Sequence, residues 1–232
     1  MKVFFHGTKP RIGAKCIVVL ACLLAAGVAN AQESDLGKSK WGVWIDFHFG
    51  ANFMDGSRGF TDYMQSNYPS LDYRSAYIGW EMVGLGYGVE YRGFTLGMFL
   101  DAALGSSGAA VKNQLVKKDD RNFHLDLGYR IPLGKLFTLE PTAGFGVSMS
   151  DLFLSTSRGG ADYVNSFSTV NYIVPLTVNI LTDMRGGDVG IYLQYIIGVG
   201  QIGTTHITGL DTEVADLHFL PSTLTFGCKY RF

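Results

Sequence analysis

The sequence predicts an all-β protein, an eight-stranded antiparallel up-and-down transmembrane β-barrel with short periplasmic turns and long extracellular loops. Three observations predict it. Apolar and polar residues alternate in eight separate segments, short and long connections alternate between those segments, and an export leader precedes them. The chain has 232 residues, which is enough for one domain of ordinary size.

Residues 1–31 are interpreted as a cleaved secretory signal peptide. Four basic residues precede an uncharged apolar run of 14 residues, 16–29. That run is shorter than the ~20 residues that a membrane-spanning helix needs. Small residues then occupy the two positions that a signal peptidase reads, Ala29 and Ala31, so cleavage is expected before Gln32.

The chain that remains after cleavage carries a net charge of −5 and a single cysteine, Cys228. It therefore offers no basic surface for nucleic acid and no intramolecular disulfide. Residues 32–40 are a short polar lead-in, and residues 41–232 form the barrel domain. No second domain is expected.

The eight alternating segments follow in order along residues 41–232. In the first four, the apolar face runs from Trp41 to Phe49, from Val83 to Tyr91, from Phe94 to Leu100 and from Phe123 to Ile131. In the last four, it runs from Phe137 to Val147, from Val170 to Val178, from Val189 to Val199 and from Leu224 to Phe232. Each segment is close to the ~9–11 residues that cross a bilayer as a tilted strand.

The connections between these segments alternate in length. The short ones are Arg92-Gly93, residues 132–135 and residues 183–188, and the long ones are 51–77, 103–122, 151–169 and 201–219. This alternation places the long loops at one end of a barrel and the short turns, with both termini, at the other. Pro141 and Pro175 fall inside two of the segments, where a missing amide removes a ladder bond and a bulge is one way to accommodate it.

The polar face of these strands is predicted to line the barrel interior. It is rich in glycine, which suits the crowded lumen of eight strands, and it carries few charges of nearly balanced sign. Since buried charges must be paired, these side chains are expected to form one cluster in the lumen. Its members are Asp46, His48, Glu90, Arg92, Asp101, His124, Asp126, Arg130, Glu140, Lys229 and Arg231. The apolar face is then expected to meet lipid.

The last segment keeps its alternation up to Phe232, as expected if the last strand must pair with the first. Lipid offers no hydrogen-bond partners, so a sheet satisfies its edges only by closing. The outward residues are Leu224, Phe226, Cys228, Tyr230 and Phe232, and this pattern resembles the C-terminal signal by which outer-membrane proteins are recognised for assembly.

With the leader and the eight strands, residues 41–232 resemble small bacterial outer-membrane barrels, namely the membrane domain of OmpA, OmpX and the "porin family" barrels of Bacteroides-like bacteria. The resemblance implies integral residence in the outer membrane, with extracellular loops and periplasmic termini. As partners it implies periplasmic chaperones and the barrel-assembly machinery during biogenesis, and then outer-membrane lipid or lipopolysaccharide. It implies no cofactor.

The function that we expect is non-enzymatic, with a plugged, charge-paired lumen and loops that serve envelope integrity or surface interaction. The tyrosine-rich segment 61–74 and the charged segment 117–121 are the loop candidates. One alternative is a lipid-modifying enzyme similar to lipid A deacylases. Its acyl-transfer site would use side chains from His48, Asp101, His124, Asp126, His218 and Ser222. Further alternatives are a secretion-system accessory barrel and a narrow pore for small solutes. The two lumenal histidines lack a third ligand at recognisable spacing, so no metal site is expected.

Overall fold

The computed structural model describes residues 41–55, 66, 79–103, 107–111, 114–158, 161–184, 187–208 and 220–232. The cleavage site at Ala29, Ala31 and Gln32, the lead-in 32–40 and His218 lie outside these residues, as does all but one residue of segment 61–74. Within the described part of the chain, no helix is long and apolar enough to cross a membrane.

The described residues form ten β-strands. They are β1 Trp41–Asp55, β2 Gly79–Tyr91, β3 Phe94–Ala103, β4 Ser107–Val111, β5 Gln114–Tyr129, β6 Ile131–Leu133, β7 Phe137–Arg158, β8 Ala161–Met184, β9 Gly187–Thr208 and β10 Ser222–Arg231.

Eight of these strands close into a ring in which every pairing is antiparallel. The order around the ring is β5-β3-β2-β1-β10-β9-β8-β7, and β7 pairs back to β5. The short strands β4 and β6 only extend this ring, since β4 pairs with β5 and β6 pairs with β7. The first and last strands of the chain pair directly, with His48 opposite Lys229. The predicted eight-stranded up-and-down barrel is confirmed.

The turn between β2 and β3 has the geometry that a two-residue hairpin requires. Arg92 has φ of 51° and Gly93 has φ of 84°. Positive φ at both central residues matches the right-handed twist of the flanking strands. At the same end of the barrel, Met184 of β8 pairs with Gly187 of β9, so the third short connection is tighter than the predicted 183–188.

Three strands run well beyond the lengths that the alternation predicts. β7, β8 and β9 have 22, 24 and 22 residues, and β7 and β8 remain paired up to Arg158 and Ala161. The residues expected as a long loop from 151 to 169 thus continue the hairpin. Alternation is enforced only where one face of a strand meets an apolar solvent, and the sequence pattern does not mark these extensions.

Both prolines remain within strands, at places where a ladder is interrupted. The β5–β7 ladder ends at Gly128 and Thr142, immediately before Pro141, and pairing resumes between β6 and β7 at Ile131 and Leu139. In the β7–β8 ladder, Ala143 pairs with Leu176 and Gly146 pairs with Ile173. The two positions between them, which would face Pro175 and Val174, are not paired. The pairs on both sides of these two gaps keep the same offset, whereas the β8–β9 ladder shifts by one residue between Tyr172 and Ile173, close to Pro175.

The apolar face of the ring points outward. Leu85, Leu127 and Leu193 are 44%, 55% and 47% exposed, whereas the inward Asp46 is 0% exposed. Aromatic side chains lie on the outward face near the short turns, where the exposed Trp41 packs on Tyr91 and the exposed Phe94 packs on the buried ring of Tyr129. An apolar band with aromatic residues at its rim is the surface that a bilayer requires.

Candidate functional site

The charged side chains of the lumen meet because glycines stand between them on the neighbouring strands. His48 on β1 and Asp101 on β3 are both paired with Gly84 on β2, so no side chain separates them. A β-carbon at Gly84 would overlap both His48 Nε2 and Asp101 Oδ1. Gly144 leaves the corresponding space beside Asp126. The glycine-rich strands therefore position the charges.

Five of these residues form a continuous hydrogen-bonded chain, here called the relay: Asp46, His48, Asp101, His124 and Asp126. His48 Nδ1 lies 2.9 Å from Asp46 Oδ1, and His48 Nε2 lies 2.9 Å from Asp101 Oδ1. His124 Nε2 lies 3.0 Å from the other oxygen of Asp101, and His124 Nδ1 lies 2.6 Å from Asp126 Oδ1. Asp101 thus bridges the two rings.

The hydrogen-bond pattern indicates the charge state of the relay. All four ring nitrogens of the two histidines face carboxylate oxygens, which only accept. A neutral imidazole has one N–H and would direct a lone pair at a carboxylate, so the geometry fits two imidazolium rings. Every relay member is at most 6% exposed.

Two cations on β10 connect the relay to the seam between the first and last strands. Lys229 Nζ lies 3.2 Å from Asp46 Oδ2. Arg231 forms two hydrogen bonds to Glu140, at 2.6 and 2.9 Å, and its Nη2 lies 3.5 Å from Asp46 Oδ2. With both imidazoles protonated, the four carboxylates of this group balance the four cations. The network is then neutral, as a buried set of charges requires.

Aromatic rings fill the space around these ions. Phe99 stacks on His124 with centroids 5.2 Å apart, and Lys229 lies over the rings of Phe99 and Tyr192. The Arg231 guanidinium lies 4.1 Å above the Trp44 ring. Cations over aromatic faces are stabilised by the negative charge density of the ring face.

A second cluster, smaller and less buried, lies at the short-turn end. Arg130 donates to Glu90 at 3.0 Å and to Asp188 at 2.7 Å. The sequence pattern assigns Asp188 to a turn, although it continues the inward positions of β9. The sequence also predicts Arg92 in the lumen cluster, and that prediction is wrong. Arg92 is exposed in the β2–β3 turn, with its guanidinium over Tyr91, because its positive φ directs it out of the strand.

A small cavity lies in the lumen beside the relay. It lies among His48, Asp126, Thr177, Gln194 and Lys229, with Phe99, Thr142 and Tyr192 completing its wall. The centre of a water molecule has about 10 Å³ available there, which is room for roughly one water. Within the described residues, no group of three or more His, Cys, Asp or Glu side chains is arranged to hold a metal ion.

The residues of the candidate assembly signal lie on the outward side of β10. Phe226, Cys228, Tyr230 and Phe232 are exposed, and Leu224 is partly exposed. The backbone of Phe232 exchanges two hydrogen bonds with Ile45, at 2.8 and 3.0 Å. The strand is therefore paired up to its last residue.

The glycines at the relay permit a matched test of its packing. Gly84→Ala places a methyl group where His48 and Asp101 meet, and we expect it to destabilise the folded barrel by about 1–3 kcal/mol, the usual cost of overpacking. Gly42→Ala is the control, since the nearest atom to its added β-carbon is 3.8 Å away. Unfolding in denaturant, followed by tryptophan fluorescence, measures both. Equal stability of the two variants would contradict the proposed packing.

The closed ring and the outward apolar band define a transmembrane β-barrel protein of the outer-membrane type.

No family model matches the chain, and no curated protein matches it. Among solved structures it is similar to Neisserial surface protein A, with 11% identity and a TM-score of 0.43 over 84% of this chain and 98% of that one. It is also similar to a major outer membrane protein from Thermus thermophilus, with 12% identity and a TM-score of 0.46 over 82% and 100%. The attachment invasion locus protein Ail of Yersinia pestis has 12% identity and a TM-score of 0.37 over 83% and 97%. The fold described above rests on this chain's own strand pairing.

Proposed function

We propose that this chain is a non-enzymatic outer-membrane barrel whose lumen is sealed by its charge-paired network. Its long-loop end then serves envelope integrity or contacts at the cell surface, and its short turns face the periplasm. The observation that carries the proposal is the network of ion pairs that joins β1, β3, β5, β7 and β10 across the lumen. Such a network fills the barrel and fixes strand register at the same time.

The geometry of the histidines supports a structural role for them. A serine nucleophile needs a base with an unoccupied ring nitrogen within ~3 Å. Each ring nitrogen of His48 and His124 already faces a carboxylate. Ser222, the predicted nucleophile candidate, has its hydroxyl 2.8 Å from the Tyr195 hydroxyl.

The small volume of the cavity beside the relay supports a sealed lumen. Eight strands enclose an interior that side chains can fill, and here a cavity of about 10 Å³ lies beside the relay. A solute larger than water would have to displace buried, paired charges. A narrow solute pore is disfavoured on this ground.

Two measurements on the wild-type protein test the proposal. The membrane-fraction protein should migrate differently on a gel before and after boiling, and the purified barrel should give no stable ion conductance in a planar bilayer. Recovery in the soluble fraction would contradict the membrane assignment, and steady conductance would contradict the sealed lumen. A change in lipid A mass on expression, abolished by His124→Gln, would favour the enzyme instead.

A further inference from the structure

The ring closes at the seam between β1 and β10, and the outward side chains do not determine the register of this seam. Phe47 and Phe49 on β1, like Phe226 and Tyr230 on β10, are exposed on the outward face. A slip by one residue would turn every side chain of a strand to the other face. A slip by two residues keeps all of these apolar side chains outward. Contacts on the inward face must therefore choose between registers that differ by two residues.

This choice affects the whole barrel, because strand tilt, stagger and diameter are linked in a closed sheet. A two-residue slip displaces β10 along β1 by about 7 Å. The slip would change the stagger and hence the width of the lumen in which the inward side chains pack. The closing register thus decides whether the lumen fits its side chains.

On the inward face of the seam, one carboxylate of β1 meets two cations of β10. Asp46 lies opposite Arg231 in the ladder. Its Oδ2 lies 3.2 Å from Lys229 Nζ and 3.5 Å from Arg231 Nη2. All three side chains are buried, so each charge depends on its partners. Across the lumen, Arg231 also binds Glu140 on β7.

A two-residue slip in either direction breaks this arrangement. A slip of β10 toward the long loops moves Lys229 opposite Gly50, two positions away from its present partner in the ladder. A slip toward the short turns moves Arg231 opposite Trp44. In each direction one of the two cations moves away from Asp46, and a buried cation without its partner is strongly unfavourable.

We propose that Asp46, Lys229 and Arg231 select the register in which the last strand of the chain closes on the first. The inference rests on the charge-paired network of the proposed function and assigns a specific task to its members on β1 and β10. The outward residues of β10 contact lipid in every register that keeps the parity. The inward cations of the same strand distinguish the native register from its neighbours.

The native Cys228 provides a reporter of this register. It is exposed on the outward face and lies opposite Phe49. A two-residue slip would bring it opposite position 47 or position 51. Residues that are directly opposite have Cα atoms at most ~5.5 Å apart, whereas two Cα atoms more than ~7 Å apart cannot form a disulfide without backbone movement. Disulfide formation with F49C, F47C or A51C therefore identifies three different registers.

The experiment oxidises these cysteine variants in the membrane fraction and counts only molecules that migrate as folded protein on a gel. Cys16 and Cys22 are replaced by alanine in every chain, so that Cys228 is the remaining native thiol. With the native charges, F49C should form the disulfide and F47C and A51C should form little. In the neutralised variant D46N/E140Q/K229M/R231M, two charges of each sign are removed. We expect the F49C disulfide to fall severalfold, and the F47C or A51C disulfide to rise severalfold.

The matched control is E90Q/R130M/D188N, which removes the ion pairs of the smaller cluster near the short turns. None of these three residues lies on β1 or β10, so the disulfide pattern should stay native. A slip of equal size in the control would overturn the inference, because any loss of lumenal ion pairs would then have the same effect. A native pattern in the neutralised variant would also overturn it. In that case the ring of Tyr192, which lies across Gly227 and Gly50, would be sufficient to set the register.

A milder variant carries the test if the neutralised chain does not fold. E140Q/R231M removes one charge of each sign and keeps Lys229 with Asp46. A slip toward the short turns brings these two residues directly opposite each other, so the F47C disulfide should rise and the A51C disulfide should not. An unchanged pattern would overturn the inference. Ion conductance by the wild type would contradict the sealed lumen but would leave these disulfides as expected, so the two proposals fail separately.

Discussion

Asp101→Asn should destabilise the folded barrel by about 3–5 kcal/mol, the cost of removing one partner from a buried ion network. Asp101 is the single acceptor shared by His48 Nε2 and His124 Nε2. In the variant, one amide oxygen replaces two carboxylate oxygens, and an amide N–H faces a ring N–H. Two imidazolium rings then lose the anion that lies between them.

Equilibrium unfolding in denaturant measures this loss, and Trp44 reports it directly because it packs within the lumen. Asp183→Asn is the control, since Asp183 is exposed near the β8–β9 turn and its replacement should change stability by less than about 0.5 kcal/mol. Adding His124→Gln to Asp101→Asn should restore part of the stability, because it removes one of the uncompensated charges. An Asp101→Asn variant as stable as the control would show that the relay does not hold the barrel together.

The fold could be predicted from the sequence because the same constraint acts on each membrane-spanning strand of a barrel. Lipid on one side and a crowded lumen on the other force a period of two, and eight segments show it. The inward position of Asp46, Asp101 and Asp126 followed from this parity alone. The pairing of Asp101 with two histidines did not, since it depends on which strands are neighbours and on the space that Gly84 leaves.

The predictions that fail concern residues at the ends of the strands, where the period-two alternation no longer applies. Arg92 keeps the parity of β2 but lies in a turn with positive φ, so parity no longer determines its direction. Asp188 has inward parity but is predicted in a loop, because its strand begins only one residue before it. The extensions of β7 and β8 lie beyond the segments in which the sequence alternates, so the pattern does not mark their length.

Leu125→Arg should also weaken the barrel strongly, and this change tests the membrane itself rather than the lumen. Leu125 is 52% exposed on the outward face, and its ladder neighbours Met98 and Phe145 are outward and apolar as well. Arginine at the bilayer midplane on the lipid face of a barrel costs about 2–4 kcal/mol, and near the interface about 0–1 kcal/mol. Leu136→Arg is therefore the control, since Leu136 is exposed in the turn before β7.

Both variants should be compared in lipid vesicles by denaturant unfolding and in cells by the amount of heat-modifiable protein in the membrane fraction. A lipid-facing position predicts a large loss for Leu125→Arg and a small one for Leu136→Arg. If the outward face met water, the two arginines would be equally well tolerated, because a charge on a solvated sheet face has no desolvation cost. Equal tolerance would therefore reject the bilayer as the solvent of this surface, even though the strand pairing would be unchanged.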